Sequence, residues 1–160
     1  MNYSEQKKQL EKDGFKGFVT VENLMANPSS APSSKGVYVI LRNSKDKPEF
    51  LEAGTGGFFK NKNPNVTIAE LKENWVENSP IMYIGKATAL KSRLGQYMKF
   101  GQGEKVGHRG GRYIWQLKDS KQLIVCWKPT IDDPREAEKK MIEHFKSEHG
   151  NMRPFANLQD

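Results

Sequence analysis

Apolar residues fall into short runs along the chain, separated by polar and glycine-rich stretches. Short runs that are rich in β-branched and aromatic residues and bounded by turn residues are typical of buried strands. Glu49 to Ala53 is a weaker strand candidate, and Phe15 to Val21 fits either a strand or an extended segment. The predicted buried strands are Gly36 to Leu41, Ile81 to Ile84 and Leu123 to Trp127.

Helical periodicity marks a second set of segments, in which apolar residues recur every third or fourth position. Thr67, followed by Glu70, predicts a capping box at one helix start, and Thr88 and Asp133 are the N-cap candidates for two others. The N-terminal segment predicts a short polar helix that ends at Gly14. The predicted helices are Met1 to Asp13, Thr67 to Glu77, Ala89 to Phe100 and Asp133 to about Glu148.

The order of these elements predicts the fold class. Short strands and helices that do not alternate regularly favour an α+β fold with an antiparallel or mixed sheet. The length of 160 residues allows one domain.

The positive charge of the chain is concentrated in one segment. Gly85 to Arg112 holds seven basic residues and one acid, so +6 of the total net charge of +7 lies there. Clustered Lys and Arg are typical of a surface that binds a polyanion, because they release counterions from a phosphate backbone. A solvated basic surface without a partner fits the charge equally well.

Other classes of protein are excluded by composition. The single cysteine, Cys126, excludes an internal disulfide and a thiolate metal cluster, and its apolar neighbours indicate a buried side chain. No apolar run approaches the roughly 20 residues that a membrane span needs, and the N-terminus is too polar for a secretory signal. We expect a cytoplasmic protein with no membrane partner.

A carboxylate interrupts the apolar face of the last predicted helix. Glu138 precedes Met141, Ile142 and Phe145 at helical spacing. A carboxylate that points inward is unfavourable unless a metal ion or an arginine compensates it. The alternative is that Glu138 lies at the edge of this face and reaches water. Glu136 needs no such explanation, because a capping box with Asp133 accounts for it.

Other polar groups stand beside apolar ones. Arg93 and Tyr97 lie one turn apart, and together they could bind a phosphate. Alternatively, Tyr97 packs in the core and Arg93 is merely exposed. Tyr38 and Tyr83 lie within predicted strands, where a buried hydroxyl needs a hydrogen-bond partner. His108, in a glycine-rich basic loop, could contact a phosphate or have no role.

Taken in order, these residues resemble the GIY-YIG endonuclease superfamily. Gly36 to Tyr38 corresponds to the first motif of that family, and Tyr83 to Gly85 to the second. The continuation through Lys86, Arg93 and Tyr97 is similar to the N-terminal nuclease domain found in bacterial excinucleases.

The chain departs from the family in several respects. Between the two motif tyrosines lie 44 residues where the family has a short hairpin, and the loop from Gly101 to Arg112 and the stretch between Glu138 and Asn157 also look long. The resemblance therefore implies a domain at residues 36–160, with a small, mostly antiparallel central sheet of about three strands flanked by helices and an inserted loop and helix at about 43–80. An extension at 1–35, packed or partly flexible, precedes it.

The resemblance extends to the C-terminal part of the chain and implies a metal site. The helix of Glu138 looks like the family's metal-binding helix, and Asn157 looks like its closing asparagine. The resemblance implies that Glu138 holds one divalent cation, Mg²⁺ or Mn²⁺, and that Asn157 orients the glutamate side of the site. Mg²⁺ suits a carboxylate and several waters.

The resemblance also implies roles for the remaining residues. Arg93 and Tyr97 would contact the scissile phosphate. Tyr38 would help to activate the attacking water. Tyr83 or Lys86 would lower the proton affinity of the Tyr38 phenol, because an unassisted phenol with a pKa of about 10 is a poor base at neutral pH. The residues expected to bind DNA are Lys91, Lys99, Lys105, His108, Arg109 and Arg112.

The sequence therefore favours a metal-dependent endonuclease that hydrolyses phosphodiester bonds in DNA. Two alternatives from other functional classes stay open. The first is a nucleic-acid-binding module that keeps the basic surface and has no catalytic activity. The second is an interaction subunit in which the insertion binds a partner through an exposed aromatic pair, Phe58 and Phe59.

Overall fold

A four-stranded antiparallel sheet forms the centre of the molecule. The computed structural model describes residues 1–159. The strands are β1 (Lys16–Thr20), β2 (Gly36–Leu41), β3 (Ile81–Ala87) and β4 (Ile124–Pro129). Their order in the sheet is β1-β4-β2-β3, so β1 and β3 are the edges. The predicted α+β class is confirmed.

Two details of the predicted sheet are wrong. The sheet has four strands instead of about three, because Lys16–Thr20 pairs with β4. A bulge between Gly17 and Val19 breaks the alternation in that strand, so its pattern was ambiguous in the sequence. Glu49 to Ala53 does not form a strand within the described residues, since Phe50 makes only an isolated bridge to Leu117.

Helices cover the sheet, and most of their predicted starts are confirmed. The Thr67 side chain accepts a hydrogen bond from the Glu70 amide, and the Asp133 side chain accepts one from the Arg135 amide. The predicted cap at Thr88 is wrong, because Ala89 occupies the N-cap and makes no side-chain capping bond. The helices are α1 (Tyr3–Lys12), α2 (Val21–Ala26), α3 (Ile68–Asn74), α4 (Leu90–Gly101) and α5 (Pro134–Glu148).

Both faces of the sheet are buried, which explains why β2 is apolar throughout. Tyr38 and Ile40 belong to the larger core, which includes residues of α2 and α4. Val37 and Val39 point to the opposite face and belong to a second core with α1 and α5. All residues of β2 are buried, and so is Cys126, as predicted. Because α4 and α5 lie on opposite faces, side chains from both can meet only beyond an edge of the sheet.

The C-terminal segment covers part of the β3 edge. The Ala156 amide donates to the Met82 carbonyl at 2.8 Å. Asn157 makes two bonds to one residue: its Oδ1 accepts from the Ile84 amide and its Nδ2 donates to the Ile84 carbonyl, both at 2.9 Å. This side chain therefore pairs with β3 as a neighbouring strand would. Within residues 1–159, none of the helices has the length and apolar character to cross a membrane.

Candidate active site

A cleft of about 380 Å³ lies at the β3 edge of the sheet, and it brings together residues that are distant in the sequence. Two of them come from β3, one from α4 and one from α5, so side chains of both helical layers meet there. Most of the predicted catalytic residues line the cleft, and Tyr97 does not. The lining residues are Tyr38, Tyr83, Lys86, Arg93, Arg109, Gly110, Arg112, Glu138, Asn157, Leu158 and Gln159.

Gly85 makes room for the Tyr38 ring. The two residues are opposite each other in the register of β2 and β3. A Cβ atom at position 85 would lie 2.6 Å from the Tyr38 hydroxyl oxygen, which is too close for any real contact. Gly36 is similarly restricted, because a Cβ there would lie 2.8 Å from Leu90 Cδ1. Both predicted motif glycines are therefore sites of close packing around β2.

The Tyr38 hydroxyl has a buried partner that the sequence did not indicate. It lies 2.9 Å from Nε2 of His108. The imidazole stacks on the Tyr97 ring, with 3.8 Å between centroids and an interplanar angle of 7°. The Tyr97 hydroxyl donates to the Gly111 carbonyl at 2.6 Å. The centroid of the Tyr83 ring lies 6.0 Å from that of Tyr38, so the aromatic groups form one contiguous cluster.

His108 and Tyr97 therefore occupy different places from those expected of residues that touch nucleic acid. His108 is fully buried, because the glycine-rich loop folds back over α4. The side chain has no exposed atom that could contact a phosphate. The predicted role of His108 in binding DNA is therefore corrected: it is a buried hydrogen-bond partner of Tyr38. Tyr97 is fully buried too, and its hydroxyl is already bonded to a carbonyl. The prediction that Tyr97 contacts the scissile phosphate requires an exposed hydroxyl, which this arrangement does not provide.

Burial shifts the pKa values of the residues in this cluster and keeps them uncharged. It raises the pKa of Tyr38 well above the usual value of 10.0, with Tyr83 adding to the rise and Arg93 opposing it. It also raises the pKa of Tyr83 to about 12. Burial, with the nearby Arg93 charge, lowers the pKa of His108 to about 3. All these groups are therefore uncharged at neutral pH, and Tyr38 is a weaker acid than a phenol in water.

Arg93 lines the cleft and also holds the loop above it. Its guanidinium donates to the Gly107 carbonyl at 3.0 Å and to Oε1 of Gln96 at 3.3 Å. The side chain is only partly buried, so it can still meet an anion in the cleft. Arg93 thus holds the loop at Gly107, directly before His108, and His108 in turn bonds to Tyr38.

Glu138 reaches the same cleft from α5. Its side chain is 15% exposed, and its Oε1 lies 3.3 Å from Nζ of Lys86. This ion pair compensates the inward-pointing carboxylate that the helix pattern revealed. Within residues 1–159, no group of three or more Asp, Glu, His or Cys side chains is placed to hold a metal ion. A cation here would therefore have one protein carboxylate and otherwise water and substrate oxygens, a set that Mg²⁺ accepts.

The predicted nucleic-acid-binding residues separate into two groups. Arg109 and Arg112 line the cleft, whereas Lys91, Lys99 and Lys105 are exposed outside its lining. That these five residues contact DNA stays a prediction.

A basic loop of the insertion also lies next to the cleft, and sequence reasoning did not assign it to the site. Arg109 donates to the Lys62 carbonyl at 3.2 Å and to the Asn63 carbonyl at 3.4 Å. A signal was present, because the segment from 53 to 69 contains no acidic residue but holds Lys60 and Lys62. In the same insertion Phe58 is 46% exposed.

The chain matches no protein-family model, no curated protein and no solved structure. The resemblance to GIY-YIG endonucleases therefore depends on the motif residues alone and stays a prediction.

Proposed function

We propose that this protein is a metal-dependent endonuclease that hydrolyses phosphodiester bonds in DNA through a GIY-YIG-type site. The observation that carries the proposal is the cleft, in which Arg93 and Glu138 lie together with two tyrosines of adjacent strands. These residues come from β2, β3, α4 and α5, and only the folded chain joins them.

The charge of the cleft supports an anionic substrate. Its lining contains four basic side chains, Lys86, Arg93, Arg109 and Arg112, and one acid, Glu138. A concave site with this excess of positive charge raises the local concentration of polyanions. The guanidinium groups suit a phosphate in particular, because each offers parallel N–H donors to its oxygens.

Each side chain has a chemical role in the proposed reaction. Arg93 neutralises charge on the phosphate oxygens as the attacking water adds. Tyr38 lines the cleft and, as the phenolate that forms when its own proton has left to solvent, would accept a proton from that water. Glu138 would hold Mg²⁺, and the bound ion would supply positive charge beside the scissile phosphate. Lys86 is paired with Glu138 at 3.3 Å and helps to orient this carboxylate in the cleft.

Plasmid nicking tests the proposal with a matched control on the same helix. Supercoiled DNA is incubated with protein and Mg²⁺ or Mn²⁺, and relaxed product is quantified. Glu138→Gln and Arg93→Ala are each expected to lower the rate by about 100-fold or more, since each removes a group that stabilises charge in the transition state. Glu136→Gln is the control, because Glu136 is exposed and outside the cleft. It should nick like the wild type.

Two outcomes would contradict the proposal. If the wild type binds DNA without nicking it in any divalent ion, the non-catalytic binding module becomes the better account. If Glu138→Gln nicks as fast as the wild type, Glu138 is not the metal ligand.

A further inference from the structure

His108 is a buried polar residue, and only one of its two ring nitrogens has a hydrogen-bond partner among the described residues. Its ring is fully buried in the loop between α4 and β4, with Nε2 at 2.9 Å from the Tyr38 hydroxyl. The other ring nitrogen, Nδ1, is buried and has no hydrogen-bond partner among the described residues. A polar atom that is buried in a core without a hydrogen-bond partner is unfavourable, so its presence there needs an explanation.

The unpartnered Nδ1 indicates which nitrogen carries the proton. A neutral imidazole has one N–H and one bare nitrogen. If the proton were on Nδ1, a buried N–H donor would have no acceptor, which is the rarer and more costly defect. If it is on Nε2, that N–H donates to the Tyr38 oxygen, and only a lone pair is unpaired. The second arrangement also leaves the Tyr38 O–H free to point away from His108.

We infer that His108 is a positioning residue for Tyr38: its Nε2–H donates to the phenol oxygen, turns the phenol proton toward the cleft and stabilises the phenolate. This inference rests on the proposed function. The phenol proton first leaves to solvent through the cleft. The phenolate then takes a proton from the attacking water, whose oxygen forms a bond to phosphorus while the bond from phosphorus to the leaving oxygen breaks. The leaving oxygen keeps the electron pair of that bond and takes a proton from solvent. Tyr38 ends the cycle protonated.

The surroundings explain why Tyr38 needs such a donor. Burial alone makes its ionisation harder, and a hydrogen bond from a neutral N–H to a phenolate oxygen opposes that effect. Positive side chains in the cleft act in the same direction. The charged and titratable groups that surround the pair are Tyr83 and Lys86 on β3, Arg93 and Tyr97 on α4, Arg109 and Arg112 in the loop, and Glu138 on α5.

The packing keeps the imidazole in the orientation that this role needs. The ring lies flat against Tyr97, whose hydroxyl is held by the Gly111 carbonyl. Arg93 binds the carbonyl of Gly107, the residue that precedes His108. Rotation of the imidazole away from Tyr38 would therefore break a stacked contact inside a dense core.

Two measurements test the inference, the first of them without any substitution. Long-range ¹H–¹⁵N NMR of the full chain identifies which nitrogen of His108 is protonated, and Nε2–H is expected. The second is the pH profile of nicking in Mg²⁺. His108→Leu should lower the rate at pH 7 about tenfold and move the rising limb to higher pH. His108→Gln places an amide N–H near the position of Nε2 and should restore most of the rate.

The outcomes separate this inference from the proposed function. An Nδ1–H tautomer overturns the inference, whatever the activity. A rate that falls equally in the Leu and Gln variants, with an unchanged pH profile, overturns it too, because a purely structural defect would behave in that way. An Nε2–H tautomer in a wild type that never nicks DNA retains the hydrogen bond and overturns the proposed function.

Discussion

Tyr38 and Gly85 show how single residues decide the shape of the cleft. They face each other across β2 and β3, and the phenol ring occupies the space that any side chain at position 85 would need. The hydroxyl that contacts His108 lies directly over the backbone of Gly85. The glycine of the second motif is thus explained by the tyrosine of the first.

Substitution of Gly85 by Ala should therefore act on Tyr38. We expect the free energy of unfolding to fall by about 1–3 kcal/mol, because the added methyl group forces the ring out of a packed site. Gly95→Ala is the control: a Cβ at that position of α4 meets nothing within 4 Å. It should raise stability by up to about 1 kcal/mol, since Ala favours a helix more than Gly does. Urea unfolding of both variants measures the difference, and equal stabilities would contradict the steric argument.

At the scale of elements, the β3 edge depends on the segment that follows α5. An edge strand exposes unpaired amides and carbonyls, and Asn157 satisfies both groups of Ile84. The same strand carries Tyr83 and Lys86, which line the cleft. Asn157 therefore supports the site through β3. The family resemblance implies a second role for Asn157, which is to orient the glutamate side of the site.

Removal of the Asn157 amide should loosen this edge. In Asn157→Leu, both bonds to Ile84 are lost, and we expect the free energy of unfolding to fall by about 1–3 kcal/mol. Hydrogen exchange of the Ile84 amide should become faster. Gln159→Ala, an exposed residue of the same segment, is the control and should leave that exchange unchanged. An Ile84 amide that exchanges equally slowly in Asn157→Leu would show that the edge is held by other contacts.

At the scale of the whole molecule, the sheet is covered on both faces while positive charge collects at its β3 edge. Two apolar cores, one on each face, supply the stability. The cleft lies at the margin of the larger core, whose Tyr38 and Tyr83 line it, and its basic side chains are exposed or partly exposed to solvent. The larger core also buries His108, a group that titrates near neutral pH in an unfolded chain, and this burial links global stability to pH.

Stability should fall as the pH is lowered from 7 to 5. The pKa of His108 is about 3 in the folded protein against an ordinary value of 6.5. Between these values the unfolded chain binds a proton that the folded protein does not, so acid favours unfolding. The loss from this residue should be about 2 kcal/mol. His108→Gln should lack that part of the decrease, whereas His144→Gln, at an exposed position, should retain it. Denaturant unfolding at both pH values compares the three proteins.

Local patterns predicted the elements that depend on local physics. The apolar runs located β2, β3 and β4, because strands buried on both faces are continuously apolar. The Thr67 and Asp133 caps were also readable, since capping bonds join residues two or three positions apart. The β1 strand was ambiguous, because Gly17 and Phe18 adopt positive φ and interrupt its alternation.

Sequence patterns were sufficient to locate the apolar strands, the helix with a carboxylate on its apolar face and the basic segment. The pairing of Glu138 with Lys86 and the burial of His108 against Tyr38 depend instead on how the elements pack together. Position 108 lies 70 residues from position 38, and no local pattern relates them. The physical reason is that a glycine-rich loop has no periodicity of its own, so its conformation depends on the surfaces against which it packs.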